Sequence, residues 1–366
     1  MQLIPPPRFP RLARILEDDW GNRRHIGAQF YIQLSDKPVL ELAYGDNGNG
    51  QPLSSESRMP WLSAGKPLTA LLINQLIESG ALKLDSTVSH YLPLFAHGGK
   101  NEITIRHLLT HTGGFRSADR LPESLDWNET IQQICQTPLE SGWIPGQKGG
   151  YHISSSWFIL AELAQKIAGV PFHELIHQRV LVPLGLMETG FTLQDWNARE
   201  VRMHITAGQL PAPHPLLNDL SITRNIRPGS SARGPARELA KFYFELLKAC
   251  HDETRIIKSE TALAMTSRQR NGIYDQTFMH VVDFGLGVLI NSNRYGAETV
   301  PYSFGRHASE ATFGHGGAQC AAGFADPDKK LAVAWILNGM AGERLHNRRA
   351  REINSAIYED LFEISS

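Results

Sequence analysis

The sequence predicts a mixed α/β fold, a single domain in which an antiparallel sheet of about five strands, drawn from both chain ends and flanked by helices, accompanies a mostly helical lobe. Three observations carry this. Strand-like alternation is confined to the two ends of the chain, the 3.6-residue period dominates the middle, and clusters of Gly, Asn, Ser and Pro punctuate the junctions. The sheet-bearing part covers about 1–60 and 235–366, and the lobe about 61–234.

Residues 8–20 have the pattern of a short amphipathic helix. Gly27 to Leu34 and Pro38 to Tyr44 alternate like two strands joined by Ser35-Asp36-Lys37, and a Gly/Asn/Ser-rich loop, Gly45 to Ser57, follows. A helical stretch then runs from about Trp61 to Leu84, with Leu68, Leu71, Leu72, Leu76 and Ile77 on the helical period. Further helices are predicted over 103–111, 153–168, 172–181 and 235–249. Thr206 to Ser231, rich in Pro, Asn and Gly, reads as a long surface excursion that shapes the pocket. Strand character returns at Asp283 to Asn291, Thr312 to Ala325 and Lys330 to Asn338, and a final amphipathic helix covers about Glu343 to Phe362. A cleft between sheet and lobe is the expected place for a site.

At 366 residues the chain can bury a large core. Its 36 basic and 37 acidic residues give a net charge of −1, which favours neither nucleic acid nor an anionic membrane as partner and points to small molecules. The N-terminus, with Pro5-Pro6-Pro7 and Glu17-Asp18-Asp19, lacks the apolar core of a secretory signal, and no later apolar run approaches the ~18 residues of a membrane span. The reading is therefore a cytoplasmic protein. Cys135, Cys250 and Cys320 resemble neither a disulfide framework nor a metal spacing.

Ser63-Ala64-Gly65-Lys66 carries the chemistry. Three-residue spacing on a helix places Ser63 and Lys66 one turn apart on one face, so that an amine can activate a hydroxyl without histidine. Pro67 is tolerated only in a first turn, which puts the helix start, with its free N–H groups and positive dipole end, close to Ser63. In isolation the tetrapeptide has an ordinary reading, a serine cap followed by a solvated lysine. Its companions decide.

Those companions resemble the serine β-lactamase and penicillin-binding-protein family, in particular its class C, D-alanyl carboxypeptidase and carboxylesterase branch. The resemblance runs from about residue 26 to 340. It includes Leu82-Lys83-Leu84-Asp85, then Ile103-Thr104-Ile105-Arg106-His107-Leu108-Leu109-Thr110-His111-Thr112-Gly113-Gly114, then Pro145-Gly146 leading to Tyr151. Pro183-Leu184-Gly185-Leu186, Phe284-Gly285-Leu286-Gly287 and His315-Gly316-Gly317 before Asp326-Pro327-Asp328 complete it. The resemblance implies a β-lactamase/transpeptidase-like fold and a serine hydrolase forming an acyl-enzyme. It implies Tyr151 as a phenolate that shuttles the Ser63 proton, and the N–H groups of Ser63 and Ala318 as the oxyanion hole. His315, Gly316 and Gly317 would line one cleft wall, where glycines let substrate approach the backbone, and His152 is a candidate substrate contact.

Two departures turn the expectation away from lactams and cell-wall peptides. Ile153 stands where the family usually has Asn, and Gly316 replaces a Thr hydroxyl used on the substrate carboxylate. A small ester or amide is the expected substrate, by hydrolysis or acyl transfer, with β-lactam or D-alanyl peptide as the alternative. No cofactor is implied.

His173-Glu174-Leu175-Ile176-His177 literally satisfies a zinc-peptidase pattern. Pro171 places His173 in a first turn, no glycine-spaced third histidine follows, and Phe172, Leu175, Ile176 and Val180 fit an ordinary amphipathic helix, so no metal is expected. His107 and His111, also four apart, read as packing and capping residues. A scaffold that kept the fold without the chemistry is the remaining reading, and the joint presence of Ser63, Lys66 and Tyr151 speaks against it.

Overall fold

The computed structural model describes residues 8–208 and 210–364. The proline run Pro5-Pro6-Pro7 lies outside them. Pro10 starts the first helix, α1 (Pro10–Gly21), whose Leu12 and Leu16 are buried. Two strands follow, β1 (Gly27–Leu34) and β2 (Lys37–Gly45). The chain then builds the lobe around α2 (Lys66–Glu78) and α3 (Ser155–Ala168) and returns through α4 (Ala236–Cys250). The sheet is completed by β3 (Asp283–Phe284), β4 (Leu289–Ile290), β5 (Phe313–Gly317), β6 (Ala321–Asp326) and β7 (Leu331–Leu337), and the chain closes with α5 (Glu343–Phe362).

The strand order β2-β1-β7-β6-β5-β4-β3 is antiparallel throughout, so the N-terminal hairpin pairs directly with the last strand. The sheet thus has seven strands, five long and two of two residues each. The stretch Asp283 to Asn291, expected as one strand, is a tight hairpin: Gly285 leaves no room for a Cβ against the Met265 carbonyl, and Gly287 sits at φ +89°. Thr312 to Ala325 likewise reverses between Gly317 and Ala321, with Gln319 at φ +58°.

The alternation of β7 shows how one strand serves two cores. Leu331, Val333, Trp335 and Leu337 face α1 and α5, whereas Ala332, Ala334 and Ile336 face α4 and join the core of the lobe. Small residues on that second face bring α4 close, and a Cβ on Gly323 of β6 would collide with the Tyr243 ring of α4. On the opposite face the Asp360 carboxylate of α5 accepts from the N–H groups of Arg11 and Leu12 at 3.0–3.2 Å, tying the first and last helices together.

The helix α2 is apolar on all sides and buried from Lys66 to Asn74, as befits the central helix of the lobe. It ends at Glu78, short of the expected Leu84. Residues 206–231, expected as a surface excursion, contain a short strand Ala212–Pro213 and a single helical turn Leu220–Thr223 before diving inward at Pro228 and Gly229. Entry to and exit from the lobe are stitched where Met59–Pro60 pairs with Arg233–Gly234. Beside this pair the buried Glu200 carboxylate bridges Arg58 at 2.6 Å and Arg233 at 2.7 Å. Among the described residues no helix is long and apolar enough to cross a membrane.

Candidate active site

Ser63 sits on a 3₁₀ turn, Leu62–Gly65, that runs straight into α2, so the expected helix start near Ser63 takes the form of this tighter turn. Leu62 is held at φ +49°, a left-handed conformation that costs a leucine roughly 1–2 kcal/mol and is fixed here by the neighbouring Trp61. The Trp61 N–H donates to Ala232 O and its indole N–H to Gly234 O. Gly65 is dictated by the same contact, because a Cβ would press on that of Ala232.

Lys66 is fully buried, and its Nζ lies 2.9 Å from Ser63 Oγ, 2.7 Å from Ile153 O and 2.8 Å from Gly229 O. As an ammonium it donates to all three. As a neutral amine its two hydrogens stay on the carbonyls and its lone pair turns to the Ser63 hydroxyl. Burial pushes Lys66 down to about 7, with the Asp119 carboxylate opposing, so both states are accessible near neutrality.

Tyr151 is buried, and its ring centroid is 5.3 Å from Lys66 Nζ. Its Oη makes no hydrogen bond among the described residues. Burial pushes the phenol well up, so the tyrosine is a neutral phenol, in place of the phenolate that the resemblance implies. His315, on β5, is buried with its ring 5.8 Å from that of Tyr151. Its Nδ1–H donates to Gly316 O at 2.7 Å, which leaves Nε2 as a lone-pair acceptor with no partner among the described residues. Burial, with Lys66 adding, pushes it down to about 3, so His315 is neutral and cannot stand in for a cationic carboxylate anchor.

Ser63, Tyr151, His315, Gly316 and Ala318 line one cavity of about 340 Å³. Three expectations change. His152 is fully buried, its Nδ1 is 2.8 Å from Ser155 Oγ, and it packs on Phe115 away from the cavity, so it offers substrate nothing. Gly317 does not line the cavity, and its missing Cβ makes room for the Trp61 carbonyl. Gly316 does line it, but the space a Cβ would take is filled by the Tyr302 ring and not by substrate. The absent threonine and the presence of Tyr302 are thus one fact.

Several supporting groups carry no sequence signal of their own. The Asp119 carboxylate accepts from the N–H groups of Ile153, Ser154 and Ser155 at 2.7–2.9 Å, capping α3 and presenting the Ile153 carbonyl to Lys66. Buried Asp275 accepts from Tyr151 N at 3.1 Å and from Thr277 and Phe278, and pairs with Arg270 at 3.0 Å. His111 accepts from the His152 N–H and packs 4.5 Å from the Tyr151 ring, and His107 joins a capping box with Thr104. His173 and His177 lie on an exposed face, and among the described residues no cluster of three potential metal ligands exists around them.

A serine beside a buried lysine, with a neutral tyrosine and a glycine-rich strand edge across a cleft, is a recognisable arrangement, and the chain can be compared with known proteins that share it. The family model described as Beta-lactamase matches residues 12–357, and the chain belongs to that family. Among curated relatives, esterase EstB of Burkholderia gladioli is 28% identical over 203 residues, covering 50% of this chain and 51% of its own. Penicillin-binding protein 4* of Bacillus subtilis (strain 168) is 24% identical over 281 residues, covering 72% and 58%. The chain therefore spans little more than half the length of these relatives. A family VIII carboxylesterase crystal structure superposes with a TM-score of 0.79 at 22% identity, over 98% of this chain and 99% of that one, and has the same fold.

Proposed function

We propose that the protein is a serine hydrolase that opens small esters or amides through an acyl-enzyme on Ser63. The observation that carries this is the Lys66 amine, 2.9 Å from Ser63 Oγ, held by two carbonyls and depressed by burial to about 7. Neutral Lys66 takes the hydroxyl proton as Ser63 Oγ attacks the carbonyl carbon, and the oxyanion forms between the N–H groups of Ser63 and Ala318. The Tyr151 phenol donates its proton to the leaving alkoxide or amine and recovers it from Lys66. Water, or another acceptor, then attacks the acyl-enzyme by the reverse relay. Similarity to esterase EstB and to the carboxylesterase fold supports the reading.

Esters are favoured over β-lactams and D-alanyl peptides, whose carboxylates such sites hold with a cation and a hydroxyl. Here His315 is neutral, Gly316 has no side chain, and Ile153 presents 52% of its surface where an amide would be needed. p-Nitrophenyl butyrate hydrolysis tests the proposal. Turnover unaffected by a chelator and abolished in Ser63→Ala is the expected result, whereas turnover that survives Ser63→Ala overturns it. Efficient hydrolysis of a chromogenic cephalosporin would instead establish the lactam reading.

A further inference from the structure

The far wall of the catalytic cavity carries a feature that acyl transfer itself does not use. Glu343, the first residue of α5, lines the cavity together with Phe278, Pro301, Tyr302 and Asn347. The Tyr302 hydroxyl donates to Glu343 Oε2 at 2.8 Å, which fixes the carboxylate and leaves Oε1 unengaged. Tyr302 is itself clamped, with its N–H donating to Asn347 Oδ1 at 3.0 Å, and it stands at φ +52°, a conformation that a tyrosine adopts only under constraint. The Phe278 ring lies 5.8 Å from that of Tyr302 and 4.7 Å from that of Tyr151.

Glu343 forms no ion pair among the described residues, although Arg344 and Arg348 follow on the same helix. Those arginines border a separate surface depression on the outer side of Glu343 and do not line the catalytic cavity. Among the described residues lining that cavity, Glu343 is the one acidic side chain and none is a lysine or arginine, while burial pushes His315 down to about 3 and the Tyr151 phenol well up. The Lys66 charge lies behind Ser63, enclosed by its two carbonyls. A carboxylate that shares its cavity with the rings of Tyr302 and Phe278 repels anions and attracts an ammonium, to which the aromatic rings add cation–π attraction.

We propose that Glu343, Tyr302 and Phe278 form a cation subsite, so that the preferred substrate is an ester bearing an ammonium group on the side of the scissile bond that faces α5. The kinetic part of this inference rests on the serine-hydrolase reading above, and its binding part does not. Glu343 is solvent-exposed, so the preference is moderate, about ten-fold, and weakens with salt.

Two matched pairs test it. Butyrylcholine against 3,3-dimethylbutyl butyrate places the charge in the alcohol, and the p-nitrophenyl ester of 4-trimethylammoniobutyrate against that of 5,5-dimethylhexanoate places it in the acyl group. The expected result is a kcat/KM about ten-fold higher for the charged member of one pair, and a ratio near one in Glu343→Gln. Calorimetric binding of the same four compounds to Ser63→Ala, and to that variant carrying Glu343→Gln, reads the subsite without turnover. Equal treatment of charged and neutral members in both readouts, or a preference that survives Glu343→Gln, overturns the proposal. Loss of ester turnover with the charged preference retained in binding would instead overturn the hydrolase reading and leave the subsite standing.

Discussion

Lys66 and Gly316 illustrate how single residues in this site obtain their properties from neighbours far away in sequence. Lys66 is an ordinary amine until Ile153 and Gly229 enclose it, and the activity that depends on its neutral form should follow that enclosure. Protonation blocks the base, so kcat/KM for a neutral ester should fall as pH drops through about 7 and level off above it, with no further limb from His315, already neutral down to about 3. A pH–rate profile rising instead near the ordinary lysine value would remove Lys66 as the base. Gly316 gives a steric prediction. Gly316→Thr, which restores the family's residue, forces a Cβ into the Tyr302 ring and should destabilise the protein by about 1–3 kcal/mol, read as a lower denaturant midpoint. In a Tyr302→Gly background, which removes the ring, the same Gly316→Thr change should cost less than it does in the wild type, the coupling expected of a direct clash. The pairing of Ser63 with Lys66 was legible because three residues of spacing fix it on a helix. Tyr151, His315 and Ala318 were legible only through the resemblance. The contributions of Asp119, Gly229, Tyr302 and Glu343 were not, because an aspartate, a glycine carbonyl or a lone glutamate has no pattern until the chain brings it to the cleft.

Among the elements, the helices of the lobe followed their apolar period closely, whereas the strands near the site were misjudged in number and length. A two-residue strand broken by Gly285 and Gly287 has too few positions for alternation to register, so Asp283 to Asn291 looks like one strand in sequence and folds as two. The segment carrying Tyr151 is held by buried Asp275, which gathers three backbone N–H groups and the Arg270 guanidinium. Asp275→Ala leaves that guanidinium buried and unpaired and should cost about 3–5 kcal/mol in urea unfolding. Asp275→Asn, which keeps an acceptor oxygen, should retain more of the stability. Equal stability of Asp275→Ala and wild type would show that the network contributes nothing net.

At the scale of the molecule, the sheet from both termini and the helical middle were readable from where alternation gives way to the helical period. The stitching of the two was not. Glu200, between Arg58 and Arg233, secures the point where the chain enters and leaves the lobe. Glu200→Ala should lower stability by about 3–5 kcal/mol and speed amide exchange at Met59, Arg233 and Gly234 ahead of β6 and β7. Uniform exchange rates in the variant would mean that the junction is not a separate unit of opening.

The carbonyl of Gly229 has a consequence for the life of the chain. It is contributed by a residue synthesised long after Ser63 and Lys66, from the tail of the segment that dives under α2. On the reading proposed here, a nascent or partly unfolded chain carries a serine no more reactive than any other, next to a lysine that stays charged. The nucleophile is armed last, by the closing of the lobe around it, and a chain that never completes that closure cannot acylate itself or its surroundings.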